Sequence, residues 1–175
     1  MRDLLVVVDM QNDFISGSLG TSEAQAIVEN VKRKIAEYAA QNKRIIFTQD
    51  THKEDYLETR EGKYLPVKHC INGTWGWEIP EDIDIPTANH YKKDRFAYDK
   101  WIFDDFTFED DGITSIEVIG LCTDICVISN VFALQMEFPE LDFTVDASCC
   151  AGTTPEKHKA ALEVMKSCQI EVINE

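Results

Sequence analysis

Short apolar segments that alternate with helical patterns constrain the fold of this 175-residue chain more than any other feature. Leu4–Val8 is a continuous aliphatic run, which is typical of a parallel strand buried on both faces. Further predicted strands lie at 44–48, 116–120, 143–145 and 170–173, and predicted helices begin near residues 22, 123 and 155. The alternation predicts an α/β fold, a three-layer α/β/α sandwich with a mainly parallel central sheet.

The chain is expected to form a single domain over residues 1–175, because domains commonly span about 100–200 residues. Neither a repeat nor a low-complexity linker divides the sequence. Residues 49–89 are interrupted repeatedly by glycine and proline, and a long irregular segment of this kind in a compact domain usually carries function. Acidic stretches at 81–84 and 104–111 are interpreted as solvent-exposed loops or short helices.

The charge balance argues against two classes of partner. Lys and Arg total 17 and Asp and Glu total 32, so the formal net charge is −15. Nucleic acids and anionic membrane surfaces both select clustered basic residues, so neither is an expected partner. No apolar run approaches the length of about 18 residues that a transmembrane helix needs. The remaining expectation is a small-molecule ligand.

The number and spacing of the cysteines indicate the redox state of the compartment that holds the protein. Six are present and no pair has CxxC spacing, which disfavours a zinc ribbon, and disulfide frameworks usually belong to smaller secreted chains. The apolar run near the N-terminus is too short for a signal peptide. We therefore expect reduced thiols and a cytoplasmic location.

Reactive side chains follow the predicted strands at the sheet edge where parallel α/β proteins bind ligands. Asp9 follows the first strand, Asp50 and His52 follow the second, and Cys126 follows the third. Cys126 falls in the first turn of a predicted helix, where the helix dipole is expected to lower the thiol pKa. Asp9 would then be a general base for this nucleophile. The alternatives are a buried structural cysteine and an aspartate that binds its own loop.

A metal site is predicted from Asp50, His52 and His69. Asp50 and His52 are two residues apart at a strand end, so their side chains point to the same side. The irregular segment is expected to carry His69 to them. One carboxylate and two imidazoles suit one divalent ion, with zinc as the first candidate and manganese or iron as alternatives. Glu61 is a further candidate ligand, and the alternative is a hydrogen-bond network without metal.

Three motifs together resemble the isochorismatase-like cysteine hydrolase superfamily. They are Asp9-Met10-Gln11-Asn12-Asp13-Phe14, Gly120-x-x-Thr123-Asp124-x-Cys126-Val127 and Lys93-x-x-Phe96. Within the superfamily, two further patterns look most like the nicotinamidases: Asp50-x-His52 and Pro66-x-x-His69-Cys70-x-x-Gly73-Thr74-x-Gly76. The resemblance covers essentially the whole chain. It implies hydrolysis of a carboxamide, with nicotinamide as the first candidate, through a thioester intermediate.

The resemblance also assigns a catalytic triad, Asp9, Lys93 and Cys126. Lys92 is adjacent, and Lys93 is selected because Phe96 follows it three residues later. On the same analogy Lys93 holds the charge of the site and orients Asp9. A homo-oligomer is a further implication of the family.

Substrate contacts follow from the same resemblance. It implies a cis peptide before Cys122 and an oxyanion hole made by the backbone N–H groups of Cys122 and Cys126. It also implies aromatic side chains around a flat pyridine ring, for which Phe14, Tyr64 and Trp75 are the candidates. The metal is expected to bind the pyridine nitrogen.

Two features depart from the family pattern. Cys122 occupies a position where a small residue such as alanine is more usual, and the pair Cys149–Cys150 has no assigned role. Three alternatives to nicotinamide stay open as the substrate of the same triad: another small amide, a ureido compound or isochorismate. A non-catalytic binding protein on the same scaffold is the more distant alternative.

Overall fold

A computed structural model of the protein describes residues 2–101 and 112–175, and the acidic stretch predicted at 104–111 lies outside them. The strands are β1 (Arg2–Val8), β2 (Arg44–Asp50), β3 (Asn89–Lys93), β4 (Ile113–Leu121), β5 (Asp142–Ala151) and β6 (Glu171–Ile173). The helices are α1 (Asn12–Ile15), α2 (Ser22–Ala26), α3 (Val28–Ala40), α4 (Arg60–Tyr64), α5 (Ile128–Glu137) and α6 (Pro155–Ser167). A π-helical turn over Thr123–Val127 precedes α5, and 3-10 turns cover Tyr56–Glu58 and Trp75–Trp77.

The described strands form one sheet in the order β3-β2-β1-β4-β5-β6, and each neighbouring pair is parallel. The chain runs outward from β1 to β3 and then begins again at β4, beside β1. Because crossovers between parallel strands are right-handed, these opposite directions place helices on opposite faces of the sheet. The predicted three-layer α/β/α sandwich is confirmed. Ligands of such sheets bind where the strand order reverses, here between β1 and β4.

The apolar pattern of the sequence forms the core as predicted. Leu4–Val8 is completely buried in β1, and the predicted helical face Val31, Ile35 and Tyr38 is buried in α3. Thr154 caps α6 by accepting a hydrogen bond from the Lys157 N–H, and proline occupies the first position of the helix. No helix in the described part of the chain is long and apolar enough to cross a membrane.

Several local predictions need correction. The pattern Ser22-x-x-Gln25 predicts a cap at Ser22, but the cap of α2 is Thr21, whose hydroxyl accepts from the Ala24 N–H. Gly17, Ser18 and Gly20 predict a loop over 12–20, but this segment begins with the short helix α1. The run at 143–145 predicts a strand that ends at Asp146, but β5 continues past it to Ala151. The edge strand β3 was not predicted, because its sequence NHYKK lacks the aliphatic residues by which the other strands are recognised.

Candidate active site

Asp9 lies directly after β1, at the point where the strand order reverses. Its backbone adopts φ +48°, a left-handed conformation that is uncommon outside glycine. Its side chain is fully buried. The Thr48 hydroxyl donates to Asp9 Oδ1 over 2.7 Å, and Lys93 Nζ lies 2.6 Å from Oδ2. The carboxylate is therefore held from both sides, by a residue of β2 and a residue of β3.

Lys93 reaches the site because β3 pairs with β2. Its Nζ lies 2.6 Å from Asp9 Oδ2 and 3.5 Å from Asp50 Oδ1, and it donates to Cys126 Sγ over 3.6 Å. Side chains alternate along a strand, so Lys92 points away and packs over the Trp77 ring, 4.6 Å from its centroid. The structure thus brings Lys93 together with Asp9 and Cys126, and it leaves Lys92 outside.

Cys126 is buried within the π-helical turn Thr123–Val127, here called the nucleophile turn. The Val127 N–H donates to the Cys122 carbonyl over 3.1 Å, five residues back, which widens the turn beyond α-helical geometry. The Asn130 side chain donates to the Cys126 carbonyl over 2.8 Å. Turns of this π type occur frequently at functional sites. The sequence predicted an ordinary α-helical start at this point.

Burial dominates the protonation of these groups. It raises the pKa of the Cys126 thiol well above its usual value, although the Lys93 charge opposes the rise. The predicted lowering by a helix dipole is wrong, because enclosure of the thiol outweighs the partial charge of one turn. Burial also raises the pKa of Asp9 against the effect of Lys93. For Lys93 burial acts downward, but the charges of Asp9, Cys126 and Asp50 raise its pKa. The resting site therefore combines a neutral thiol, an ammonium and a carboxylate of raised basicity.

The approach to the nucleophile turn requires a glycine. Gly120 has φ +122°, and a Cβ at this position would clash with the Val8 carbonyl oxygen of β1. The peptide bond between Leu121 and Cys122 is cis, in agreement with the resemblance. Cys122 and Cys126 line the same cavity. The assignment of their N–H groups as oxyanion donors stays a prediction.

A second cluster of polar side chains lies beside Lys93. Asp50, His52, Glu61 and His69 each offer one ligand atom, and these atoms lie within 4.8 Å of one another. His52 Nε2 and His69 Nε2 lie 3.0 and 3.5 Å from Asp50 Oδ2. Glu61 Oε1 lies 3.7 and 3.8 Å from the same two nitrogens. The three predicted ligands are brought together, and Glu61 completes a set of two imidazoles and two carboxylates that can hold a divalent metal ion.

The orientation of His69 fits metal binding. Its Nδ1 is hydrogen-bonded to the Val67 carbonyl over 2.9 Å, so Nδ1 carries a proton and Nε2 is the ring nitrogen that faces Asp50. A backbone carbonyl on the second nitrogen is a frequent arrangement for metal-binding histidines. The chemistry of the donor set and this bond together fit a metal ion in the cluster.

Two residues of the first motif hold the backbone around these ligands. Gln11 Oε1 accepts from the Asp50 N–H over 2.7 Å, and Gln11 Nε2 donates to the Asp50 carbonyl over 2.8 Å. Asp13 Oδ2 accepts from the Cys70 N–H over 2.8 Å, next to His69. Sequence reasoning gave neither residue a role. The available signal was their membership in the motif that begins at Asp9.

Asp50 belongs to both clusters. Its Oδ1 faces Lys93 at 3.5 Å, while its Oδ2 faces the two histidines. Burial opposes its ionisation, but the Lys93 charge and the hydrogen bonds from His52 and His69 hold the pKa of Asp50 below its usual range. One buried carboxylate thus couples the thiol region to the cluster of histidines.

A cavity of about 490 Å³ joins the two clusters, and Cys122, Cys126, Asp50, Glu61 and His69 all line it. Phe14 forms one wall, with its ring centroid 5.5 Å from that of His69. Tyr64 lines the mouth and is 78% exposed.

Trp75 does not line this cavity, and its side chain is 59% exposed. Trp77, two residues further along the same 3-10 turn, points inward instead. Its indole N–H donates to Thr51 Oγ1 over 2.9 Å. Phe96, which sequence reasoning used only to select Lys93, does line the cavity. Phe14, Tyr64 and Phe96 thus line the cavity, and Trp75 lies outside its lining. Contact of these rings with a substrate stays a prediction.

The comparisons with known proteins agree on one family. The isochorismatase domain profile matches residues 3–175. The chain is 31% identical to a probable inactive nicotinamidase of Arabidopsis thaliana, over 93% of this chain and 87% of that protein. It is 26% identical to a nicotinamidase/pyrazinamidase of Mycobacterium tuberculosis, over 97% of each. The crystal structure of a pyrazinamidase of Pyrococcus horikoshii in complex with zinc superimposes with a TM-score of 0.83 at 25% identity, covering 100% of both chains. The chain belongs to the isochorismatase family.

Proposed function

We propose that this protein is a cysteine amidohydrolase that converts nicotinamide to nicotinic acid and ammonia. One observation carries the proposal: Cys126 lines the same cavity as members of the metal-ligand cluster. Lys93 in turn contacts both Cys126 and Asp9. A thiol with a base could serve many amides, whereas an adjacent metal suits an amide whose ring carries a nitrogen. The names of the relatives support the same substrate class.

In the first half of the reaction, Asp9 accepts the Cys126 proton; Lys93 Nζ contacts both groups and holds them together. The sulfur attacks the amide carbonyl carbon, and the carbonyl oxygen becomes an oxyanion. The backbone N–H groups of Cys122 and Cys126 donate to that oxygen, an interaction worth several kcal/mol in comparable enzymes. Lys93 keeps its proton throughout and balances the negative charge that moves between Asp9 and the sulfur.

In the second half, Asp9 returns the proton to the leaving nitrogen. The carbon–nitrogen bond breaks, and ammonia leaves behind a thioester on Cys126. Asp9 then accepts a proton from water, whose oxygen attacks the thioester carbonyl. The carbon–sulfur bond breaks, the proton returns to the sulfur, and the carboxylic acid departs. One base thus serves both half-reactions, which fits its raised pKa.

Asp50, His52, Glu61 and His69 would hold one divalent ion, with zinc as the first candidate and manganese or iron as alternatives. When bound, the ion supplies an electron-pair acceptor for the ring nitrogen of the substrate. Phe14 and Phe96 pack against the ring from the cavity walls. Holding the ring in this way orients the carbonyl toward Cys126.

A second candidate function keeps the triad and changes the substrate to another small amide or a ureido compound. One observation calls for this alternative: the Arabidopsis relative, at 31% identity, is a probable inactive nicotinamidase, so similarity to nicotinamidases does not fix the substrate. One assay separates the two candidates. It measures ammonia release from a panel of amides that includes nicotinamide, pyrazinamide and N-carbamoyl amino acids.

The metal provides the test. The purified protein should contain about one divalent ion per chain, and chelation should abolish nicotinamide hydrolysis until zinc, manganese or iron is returned. His69→Ala should lose both metal and activity. His90→Ala is the matched control, since His90 pairs with Asp84 at 2.6 Å and lies outside the cluster.

Metal-free protein that hydrolyses nicotinamide at full rate would exclude the proposed role of the cluster. Metal-free protein that ignores nicotinamide but cleaves another amide would favour the second candidate. A homo-oligomer, a cytoplasmic location and a single domain over residues 1–175 stay predictions. Light scattering of the purified protein checks the first of them.

A further inference from the structure

Two side-chain links, which we call the latch, tie the nucleophile turn to α6 and to the junction before it: Thr123 with His158 of α6, and Asp124 with Thr153 of the junction. We propose that His158 and Asp124 are positioning residues, which set the nucleophile turn for reaction without touching the substrate. This inference rests on the proposed function and adds to it the residues that hold the reacting turn in place.

The first link is buried at its Thr123 end, within the nucleophile turn. Thr123 is fully buried, and a hydrogen bond of 2.7 Å connects its Oγ1 to His158 Nδ1. Thr123 is the first residue of the nucleophile turn, three residues before Cys126. A change in the Thr123 position therefore moves the backbone that carries the sulfur and the Cys126 N–H.

The second link uses both oxygens of one carboxylate. Asp124 Oδ1 accepts from the Thr153 N–H over 2.7 Å, and Asp124 Oδ2 accepts from the Thr153 hydroxyl over 2.7 Å. Bonds to an ionised acceptor are stronger than neutral ones. Gly152 allows the close approach, because a Cβ there would lie 2.9 Å from Asp124 Oδ1 and 2.8 Å from the His158 N–H nitrogen.

The geometry of the turn explains why it needs external support. The wide π-helical turn spans only Thr123–Val127 before α5 begins. Asn130 holds its C-terminal side through the Cys126 carbonyl, and the latch holds its N-terminal side. Misplacement of a reacting group by about 1 Å can lower a rate about 100-fold. The latch is thus expected to act on the rate of the chemical step more than on substrate binding.

The first link of the latch lies outside the lining of the substrate cavity. Thr153 lines the cavity together with Cys122 and Cys126, whereas His158 and Thr123 do not. His158 therefore acts through Thr123. A residue that acts in this way should alter kcat and the reactivity of Cys126 while leaving KM nearly unchanged.

The test uses the full-length protein and four variants: Thr123→Val, His158→Leu, the double variant, and His158→Asn. Asn can present a polar atom near the position of Nδ1, so it should restore the link. We expect each single apolar variant to lower kcat about 10- to 100-fold with KM within about threefold. His158→Asn should stay within about threefold of wild type. The double variant should lose no more than the worse single variant, because the two residues share one interaction.

A second readout does not depend on the substrate. Alkylation of Cys126 by iodoacetamide, followed on the Cys126 peptide by mass spectrometry, should slow about tenfold in the apolar variants. His90→Leu, which removes a partly buried histidine bonded elsewhere, should leave both readouts unchanged. Asp124→Ala removes both bonds of the second link and gives an independent measurement if Thr123→Val folds poorly.

The inference is overturned if the apolar variants keep wild-type kcat and alkylation rate, if their losses multiply in the double variant, or if only the melting temperature changes. Failure of the proposed function has a different signature. Wild-type protein would then release no ammonia from nicotinamide, while the alkylation rates would still show whether the latch sets the turn.

Discussion

Lys93 and Lys34 each lie between two carboxylates, and the two clusters differ in what surrounds them. Lys93 is buried, and its Nζ lies 2.6 Å from Asp9 and 3.5 Å from Asp50. Lys34 is half-buried, and its Nζ lies 2.7 Å from Glu117 and 2.9 Å from Asp146. Composition and distances are similar, so a lysine enclosed by two carboxylates does not by itself mark an active site.

The neighbours of the Lys34 cluster donate hydrogen bonds to its two carboxylates. Tyr38 donates to Glu117 over 2.7 Å. The Ser148 hydroxyl and the Asn174 amide donate to Asp146 over 2.7 and 3.0 Å. The Lys93 cluster instead contacts Cys126 and the metal-ligand set at the carboxyl ends of the strands. Position at the strand ends and contact with a nucleophile distinguish the reactive cluster from the structural one.

The largest expected effect concerns the thiols of the two regions. Cys126→Ala should lower nicotinamide turnover by about 10⁴-fold or more, since no nucleophile remains. Cys149, beside Ser148 near the Lys34 cluster, is buried in β5 and burial raises its pKa to about 11. Cys149→Ala should retain turnover. Cys122→Ala should retain most of it too, because only the backbone N–H of this residue is used. Ammonia release measures all three, and the opposite ranking of Cys122 and Cys126 would reassign the nucleophile.

Removing the charge from Lys93 should lower catalysis, whereas removing it from Lys34 should lower stability. Lys93→Met should lower kcat by about 10²- to 10³-fold, because charge fixed in a desolvated site acts strongly on the transition state. Lys34→Met should leave kcat within about threefold but lower the free energy of unfolding by about 1–3 kcal/mol, since Glu117 and Asp146 lose their partner. Steady-state kinetics and urea unfolding are both needed. Equal kinetic losses in the two variants would remove the distinction between the clusters.

A smaller effect is expected for Lys92→Met. Lys92 lies over the Trp77 ring and outside the Lys93 cluster, and exposed cation–π contacts contribute about 0.5–1 kcal/mol. Turnover should stay within about twofold of wild type. A loss comparable to that of Lys93→Met would mean that the register of β3 differs from the one described.

Sequence reasoning found the parts of the site that local patterns specify. Asp9 was predicted because a carboxylate follows a fully aliphatic strand, and Asp50 and His52 because their two-residue spacing at a strand end fixes a common side. The resemblance selected Lys93, and the alternation of side chains along β3 accounts for that choice. These features depend on the residues within one segment.

Other features depend on residues far apart in the chain. The strand β3 is polar and becomes a strand only by pairing with β2. The pKa of the Cys126 thiol follows from enclosure by several segments, so the helix position alone gave the wrong direction. The same holds for the Lys34 cluster, which joins α3, β4 and β5. Tertiary contact, and not local spacing, determines each of these.

The smallest predicted effect is a pH dependence of stability at the Lys34 cluster. Burial acts to raise the pKa of Asp146, but bonds from Ser148 and Lys34 outweigh it and hold the pKa below 3.8. The unfolded chain then binds this proton more readily than the folded protein. The stabilisation is complete above about pH 4 and is lost as the pH falls through the folded pKa. We expect a contribution of about 1 kcal/mol.

Asp146→Asn isolates this contribution, because asparagine keeps the shape and removes the charge. The difference in free energy of unfolding between wild type and Asp146→Asn should be largest at pH 7 and should shrink between about pH 4 and pH 2. Urea unfolding at several pH values measures it. Curves that stay parallel over this range would show that Lys34 does not stabilise the charged form of Asp146, and the likeness between the two lysine clusters would then be one of distance alone.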